Sequence, residues 1–350
     1  MPFRFPPVRR PALTLSAIAA AAALALGGCS AAGEKPAAAP AQTTGGTAAF
    51  PVTIDSALGQ AKITEQPERV VTLGQGSTET AIALGFTPVG IESYAWGSDK
   101  TGYLPWIHEA VTKAGGTLPK QFAGGEDIDF DTIVELEPDV ILAPWSGITK
   151  EQYSVLSGIA PTVAYPDLPW STNWDQQIEI ISKALGKPAE AQTLISTIKK
   201  QLSDAAATRP QYKGVTFSYI YTTGPGTLGV FKPEEQRVEM VTSLGLTPDP
   251  VVNSFKETEG TDSALIGLEN AQKLAGSDLI FTFYTDGKTR KEIEAQKLYA
   301  AIPAVKRGGV VASDDTPFVT ASSIINPLTV PWVIDRYLPL IDKAVATTGK

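Results

Sequence analysis

The sequence predicts an α/β protein: two similar lobes with parallel-type sheets, joined by one long rigid helix, with a ligand cleft between them. Three observations carry that expectation. Strand and helix signals alternate from residue 69 onward. They give way to a helical stretch at 173–210 and then begin again. The two halves also echo each other in sequence. ALGFTPVG (83–90) returns as SLGLTPDP (243–250), and LEPDVILAP (136–144) returns as LAGSDLIFT (274–282). A weak internal repeat of this kind points to two lobes of similar design.

In the first lobe, RVVTLG (69–74) is a β-rich run, and STETAIALG (77–85) is helical. Ser77 or Thr78 suits its N-cap and Gly85 its stop. PVGIES (88–93) is the next strand, DFDTIVEL (129–136) a helix, and DVILAP (139–144) a buried strand of continuous apolar character. TKEQYSVLSGI (149–159) is helical and TVAYP (162–166) a strand. Strands separated by short helices imply a parallel sheet covered on both faces. The second lobe repeats the order: strand 215–221, helix 234–245, helix 268–276, strand 278–284, helix 289–302, strand 308–314 and a closing helix at 330–345.

Between the lobes, Gly186 ends one helix and Pro188 fits the first turn of another. In that second helix Ala191, Leu194, Ile195, Ile198 and Leu202 form a narrow apolar stripe. Some 20 residues of helix reach about 30 Å, enough to run across both lobes. Two lobes on one connector leave a cleft, where ligands bind.

The start of the chain has another character. MPFRFPPVRR carries three arginines and no acid, and an uncharged run, PALTLSAIAAAAALALGG, follows it. This is a secretory leader and too short for a membrane span. It ends at Cys29, the one cysteine in 350 residues. Leu26-Gly27-Gly28-Cys29 resembles the lipobox of bacterial lipoproteins. That resemblance implies cleavage before Cys29 and lipid on its sulfur, anchoring the protein at the extracytoplasmic face of the cell membrane. Residues after Cys29 are rich in Ala, Pro, Thr and Gly and read as a tether. The organisation expected is therefore a signal peptide (1–28), a flexible tether (29–65), a first lobe (66–186), a connecting helix (187–210) and a second lobe (211–350). Losing Arg4, Arg9 and Arg10 with the leader takes the formal net charge from −8 to −11. That argues against nucleic acid as a partner, which would favour a basic face.

The ordered segments PERVVTLGQGSTETAIALGFTPVGI, DFDTIVELEPDVILAP, the connecting helix and LENAQKLAGSDLIF resemble the substrate-binding lipoproteins of iron-siderophore ABC importers. The resemblance covers roughly residues 67–340. It implies a protein that binds a ferric siderophore, does no chemistry, holds no cofactor or metal ligands of its own, and delivers its cargo to an ABC permease. A haem or cobalamin carrier of the same class is the alternative within it. A secreted hydrolase is the alternative outside it. A hydrolytic triad would have to use His108, the only histidine, and no GxSxG elbow is present. GPGTLG (224–229) matches a dinucleotide fingerprint by letter, but VFKPEE follows it where a helix should open.

Ligands of open α/β sheets sit beyond the carboxyl ends of the strands. Aromatics gather there: Tyr94, Trp96 and Trp145 in the first lobe, and Tyr221, Tyr284 and Phe318 in the second. Flat rings with a polar handle suit a large chelate. By resemblance, Trp96 and Trp145 stand where hydroxamate-siderophore binders carry aromatic residues. Those relatives also place an arginine before the helix at DFDTIVEL, where this chain has Gly124-Gly125-Glu126-Asp127. Arg237 is the remaining candidate to meet an anionic chelate, unless it pairs with Glu234 or Glu235. The resemblance also implies one permease-docking carboxylate per lobe, here Asp131 and Glu269.

Overall fold

The computed structural model describes residues 50–350 apart from Thr223, Glu259 and Gly260. The leader, Cys29 and most of the tether lie outside the described residues.

The first sheet has five parallel strands in the spatial order Lys120–Phe122, Gly90–Glu92, Val70–Thr72, Val140–Leu142 and Thr162–Val163. Val70–Thr72 and Val140–Leu142 are buried at every position, as expected of strands covered on both faces. Helix Ser77–Ala83 begins at Gly76, in a left-handed conformation, and not at Ser77 or Thr78. The Thr78 hydroxyl bonds Thr72 Oγ1 inside the core, so it is not free to cap.

The second sheet runs Ser263–Leu265, Gly229–Phe231, Thr216–Tyr221, Leu279–Phe283 and Val310–Ser313, with Thr247–Pro248 also paired to Thr216 and Phe217. Its centre is parallel, but Gly229–Phe231 and Ser263–Leu265 pair antiparallel. The sheet is thus mixed. The connection after Tyr221 is too short for a parallel crossover and must turn back as a hairpin. GPGTLG forms that turn, closed by a hydrogen bond from Thr227 N to the Gly224 carbonyl at 3.2 Å.

The connecting helix is Pro188–Ala207, 20 residues long. It buries Ala191, Ile195, Ile198, Leu202 and Ala205, while Leu194 is only half-buried. These residues lie within one apolar cluster that also holds Ile91, Trp106 and Ile107 of the first half and Phe217, Phe281 and Tyr337 of the second. Polar ties reinforce the junction. Trp174 Nε1 donates to Glu239 Oε1 at 2.8 Å, and the Trp106 and Trp332 rings meet edge-on at 5.5 Å.

Several expectations need correcting. Residues read as the end of the tether form an antiparallel hairpin, Val52–Ser56 with Gly59–Ile63. Val52, Ile54, Ala61 and Ile63 are buried against Val70 and Val140. This is the period of two that a half-buried strand requires. Helix 289–302 breaks into Gly287–Glu294 and Lys297–Ala300, and 268–274 is a 3₁₀ helix. Helices Pro105–Lys113 and Thr316–Ala321 and strand Lys120–Phe122 carried too few sequence signals to be placed.

Candidate ligand-binding site

The parallel strands of the first sheet all end on one edge, and the chain that leaves them shapes a cavity of about 610 Å³. Its wall includes Glu92, Glu126, Ile128, Ile148, Gln152 and Trp170. Gly74 makes the close packing of this edge possible. It sits at φ +74°, and a Cβ there would overlap the Trp145 carbonyl oxygen. Its N–H donates to Glu92 Oε2 at 2.8 Å. Burial raises the Glu92 carboxyl above the usual carboxylate range, while the N–H groups of Gly74 and Gly125 pull it down. Gly124 lies directly against the Glu92 side chain, leaving no room for a Cβ.

Tyr94 is half-buried beside Glu92, Gln75 and Gln121, at a smaller cavity that shares Glu92 with the first. Burial, and then the Glu92 charge, push its hydroxyl far above its ordinary pKa. Trp96, on the same segment, is 43% exposed. Trp145 is half-buried and meets Trp170 edge-on at 4.8 Å. Sequence reasoning missed Trp170. It lies beyond the end of strand Thr162–Val163, so the strand-end rule applied to that strand would have found it. It is 44% exposed, holds φ +62° and covers Gly147, where a Cβ would overlap the indole.

In the second lobe the structure groups Tyr221, Phe231, Arg237 and Phe283. Tyr221 packs on Phe231 at 4.8 Å and shares a hydrogen bond with Ser263 Oγ at 3.1 Å. The Arg237 guanidinium lies 4.7 Å from the Phe231 ring centre and 5.7 Å from that of Phe283. Arg237 is ion-paired with Glu235, and both side chains are largely buried. Burial raises the Glu235 carboxyl, and Arg237 opposes that rise.

Two predicted ligand residues belong to the core instead. Tyr284 is 1% exposed, with its hydroxyl bonded to that of Tyr299 at 3.0 Å. Side chains alternate along a strand, so Tyr284 shares the face of Ile280, and both lie in the same buried cluster. Phe283 takes the other face and reaches Arg237. Phe318 is 6% exposed on helix Thr316–Ala321 and stacks edge-on to Tyr337 at 5.3 Å. Asp131 and Glu269 are both exposed, each in the first turn of its short helix. His108 is half-buried on helix Pro105–Lys113, with its ring 6.2 Å from that of Tyr103.

A two-lobed α/β body with a cavity at its strand ends, one indole in its wall, is the architecture of a solute-binding protein. Residues 70–317 match the model described as periplasmic binding protein, and the chain belongs to that family. It is a family of binding proteins, not enzymes. The chain is similar to the crystal structure of PiaA from Streptococcus pneumoniae TIGR4 in complex with ferrichrome. The TM-score is 0.76 and the identity 33%, over 84% of this chain and 99% of that one. It is 25% identical over 284 residues to the probable siderophore-binding lipoprotein YfiY of Bacillus subtilis (strain 168), covering 78% of this chain and 83% of the relative. It is 26% identical over 279 residues to the ferric enterobactin-binding periplasmic protein FepB of Escherichia coli O6:H1, covering 75% and 84%.

Proposed function

We propose that this protein is a lipid-anchored extracytoplasmic receptor that captures a ferric siderophore and hands it to an ABC import permease. The observation that carries the reading is the cavity of about 610 Å³ at the first sheet's carboxyl edge, with Trp170 in its wall and Trp145 against it. A chelate is bulky and largely flat-sided, and indole rings offer it broad contact with a polar handle. Tyr221, Phe231 and Arg237 form the second lobe's contribution to the cleft. Iron enters and leaves inside its chelate. Cobalamin binders also occur among the relatives, but such a match covers only 46% of this chain, against 78% for the siderophore-binding lipoprotein.

Cys29 is the anchor in this reading. Cys29→Ala is expected to move the protein from the detergent phase to the aqueous phase of a partition experiment. A variant that stays with the membrane refutes the anchor. Asp131 and Glu269 are the docking pair, one exposed carboxylate on each lobe for permease arginines. Exposed ion pairs contribute only about 0.2–1 kcal/mol each, so their work is to steer and orient the encounter. Asp131→Lys combined with Glu269→Lys should retain siderophore binding, read by tryptophan quenching, and lose most uptake in cells. Normal uptake by the double variant at physiological salt rules the pair out.

A further inference from the structure

We infer that the site selects chelates of zero or positive net charge, and that Glu92 is the residue that sets this choice. The inference rests on the siderophore reading and narrows it. The relatives named above do not decide the matter, since one was solved with ferrichrome and another is named for ferric enterobactin.

The wall of the cavity gives the first reason. Its charged lining residues are Glu92 and Glu126, and among the described residues no lysine or arginine lines it. Glu92 cannot turn away from the ligand space. Gly74 N–H holds one carboxylate oxygen at 2.8 Å, and the backbone at Gly124 closes over the side chain. Glu126 is exposed and adds a second negative charge to the same wall.

The second lobe gives the other reason. Of the basic groups near its strand ends, Lys288 stands out in solvent and is loosely paired with Glu292 at 3.9 Å, and the more enclosed ones are committed elsewhere. Arg237 is paired with Glu235 and enclosed by Phe231 and Phe283. Lys232 Nζ donates to the carbonyls of Val252 at 3.0 Å and Phe255 at 3.1 Å. Arg290 pairs with Glu294 at 2.9 Å and Asp314 at 3.7 Å. An anionic chelate would face two carboxylates. The Arg237 charge is already balanced by Glu235, so it offers an anionic chelate little net attraction, and drawing it away would leave a buried charge unpaired, which is strongly unfavourable.

Siderophore chemistry turns this into a selection. Three deprotonated hydroxamates cancel the charge of the ferric ion, whereas three catecholates leave a large negative excess. A like charge at the wall of a partly dry site is worth about tenfold or more in affinity.

The test is a titration of the full chain with three probes at one pH and salt concentration, read by tryptophan quenching. The probes are ferrichrome, which is neutral, ferrioxamine B, which carries an additional ammonium, and ferric enterobactin, a tris-catecholate. The first two should bind about tenfold or more tighter than the third. That ratio should contract about fivefold in Glu92→Gln and less in Glu126→Gln. Because Glu126 is exposed, its variant still reports if the Glu92 variant fails to fold. Tighter or equal binding of ferric enterobactin by the unaltered protein overturns the inference. So does a ratio unmoved in both variants. If none of the three chelates binds, the siderophore reading itself falls, and the charge selection falls with it.

Discussion

Gly74→Ala is expected to destabilise the protein by about 4 kcal/mol or more, the range of the severest single substitutions. Two penalties combine at this position. The backbone sits at φ +74°, which costs an L-residue roughly 1 kcal/mol. The added Cβ would also overlap the Trp145 carbonyl oxygen, and that atom belongs to main chain with little freedom to retreat. Leu73 N is bonded to the Leu142 carbonyl at 2.9 Å, which pins the neighbouring strand end. Gly85 provides the control. Its φ is +91°, but nothing lies within 4 Å of the Cβ position, so Gly85→Ala should cost only about 1 kcal/mol. Urea unfolding of the two variants separates the effects. A Gly74 variant as stable as the Gly85 variant would show that the edge of the sheet can relax.

Glu79→Ala should cost about 3 kcal/mol, with a pH dependence of definite sign. Glu79 is 1% exposed, and its two oxygens accept from Trp106 Nε1 at 2.8 Å and Gly76 N–H at 3.0 Å. Truncation leaves both donors buried without acceptors, at about 1–3 kcal/mol each. Burial raises the Glu79 carboxyl above its ordinary 4.5, although Trp106 and the Gly76 N–H oppose the shift. The folded state therefore holds the proton more tightly than the unfolded chain does. Stability from this group is fully present below the unfolded pKa and is lost as pH rises through the folded one. The gap between the unaltered protein and the variant should be wider at about pH 4.5 than at about pH 8. A gap that widens toward alkaline pH would contradict a raised carboxyl.

The central strands were legible because burial on both faces writes itself as an unbroken apolar run, as in Val140–Leu142. The connecting helix was legible because Gly186 and Pro188 punctuate it and its stripe has helical period. Glu92 could not be recognised as a site residue from sequence. Its placement depends on Gly74 and Gly124, which meet it only after the sheet assembles. Tyr284 and Phe318 were misread because proximity to a strand end says nothing about which face a side chain takes. For Arg237 the sequence offered both a ligand contact and a pair with Glu234 or Glu235, and could not choose because Glu235 both caps its own helix and holds the guanidinium. The hairpin at 52–63 was overlooked because its strands are five residues each and adjoin a low-complexity stretch.

The apolar cluster threaded by helix Pro188–Ala207 has a consequence for modularity. Ile195, Ile198 and Leu202 share that cluster with Trp106 on one side and Phe281 on the other. A cut at either end of the helix would leave one half with an exposed apolar face and the other with a core lacking a wall. The two halves echo each other in sequence, yet through this cluster they are not separable. Recombination between relatives can exchange loops at the strand ends freely. It can exchange a whole lobe only together with the helix and the residues that meet it from the far side. Ligand preference can thus diverge quickly in such a lineage while the body beneath it is inherited as a single piece.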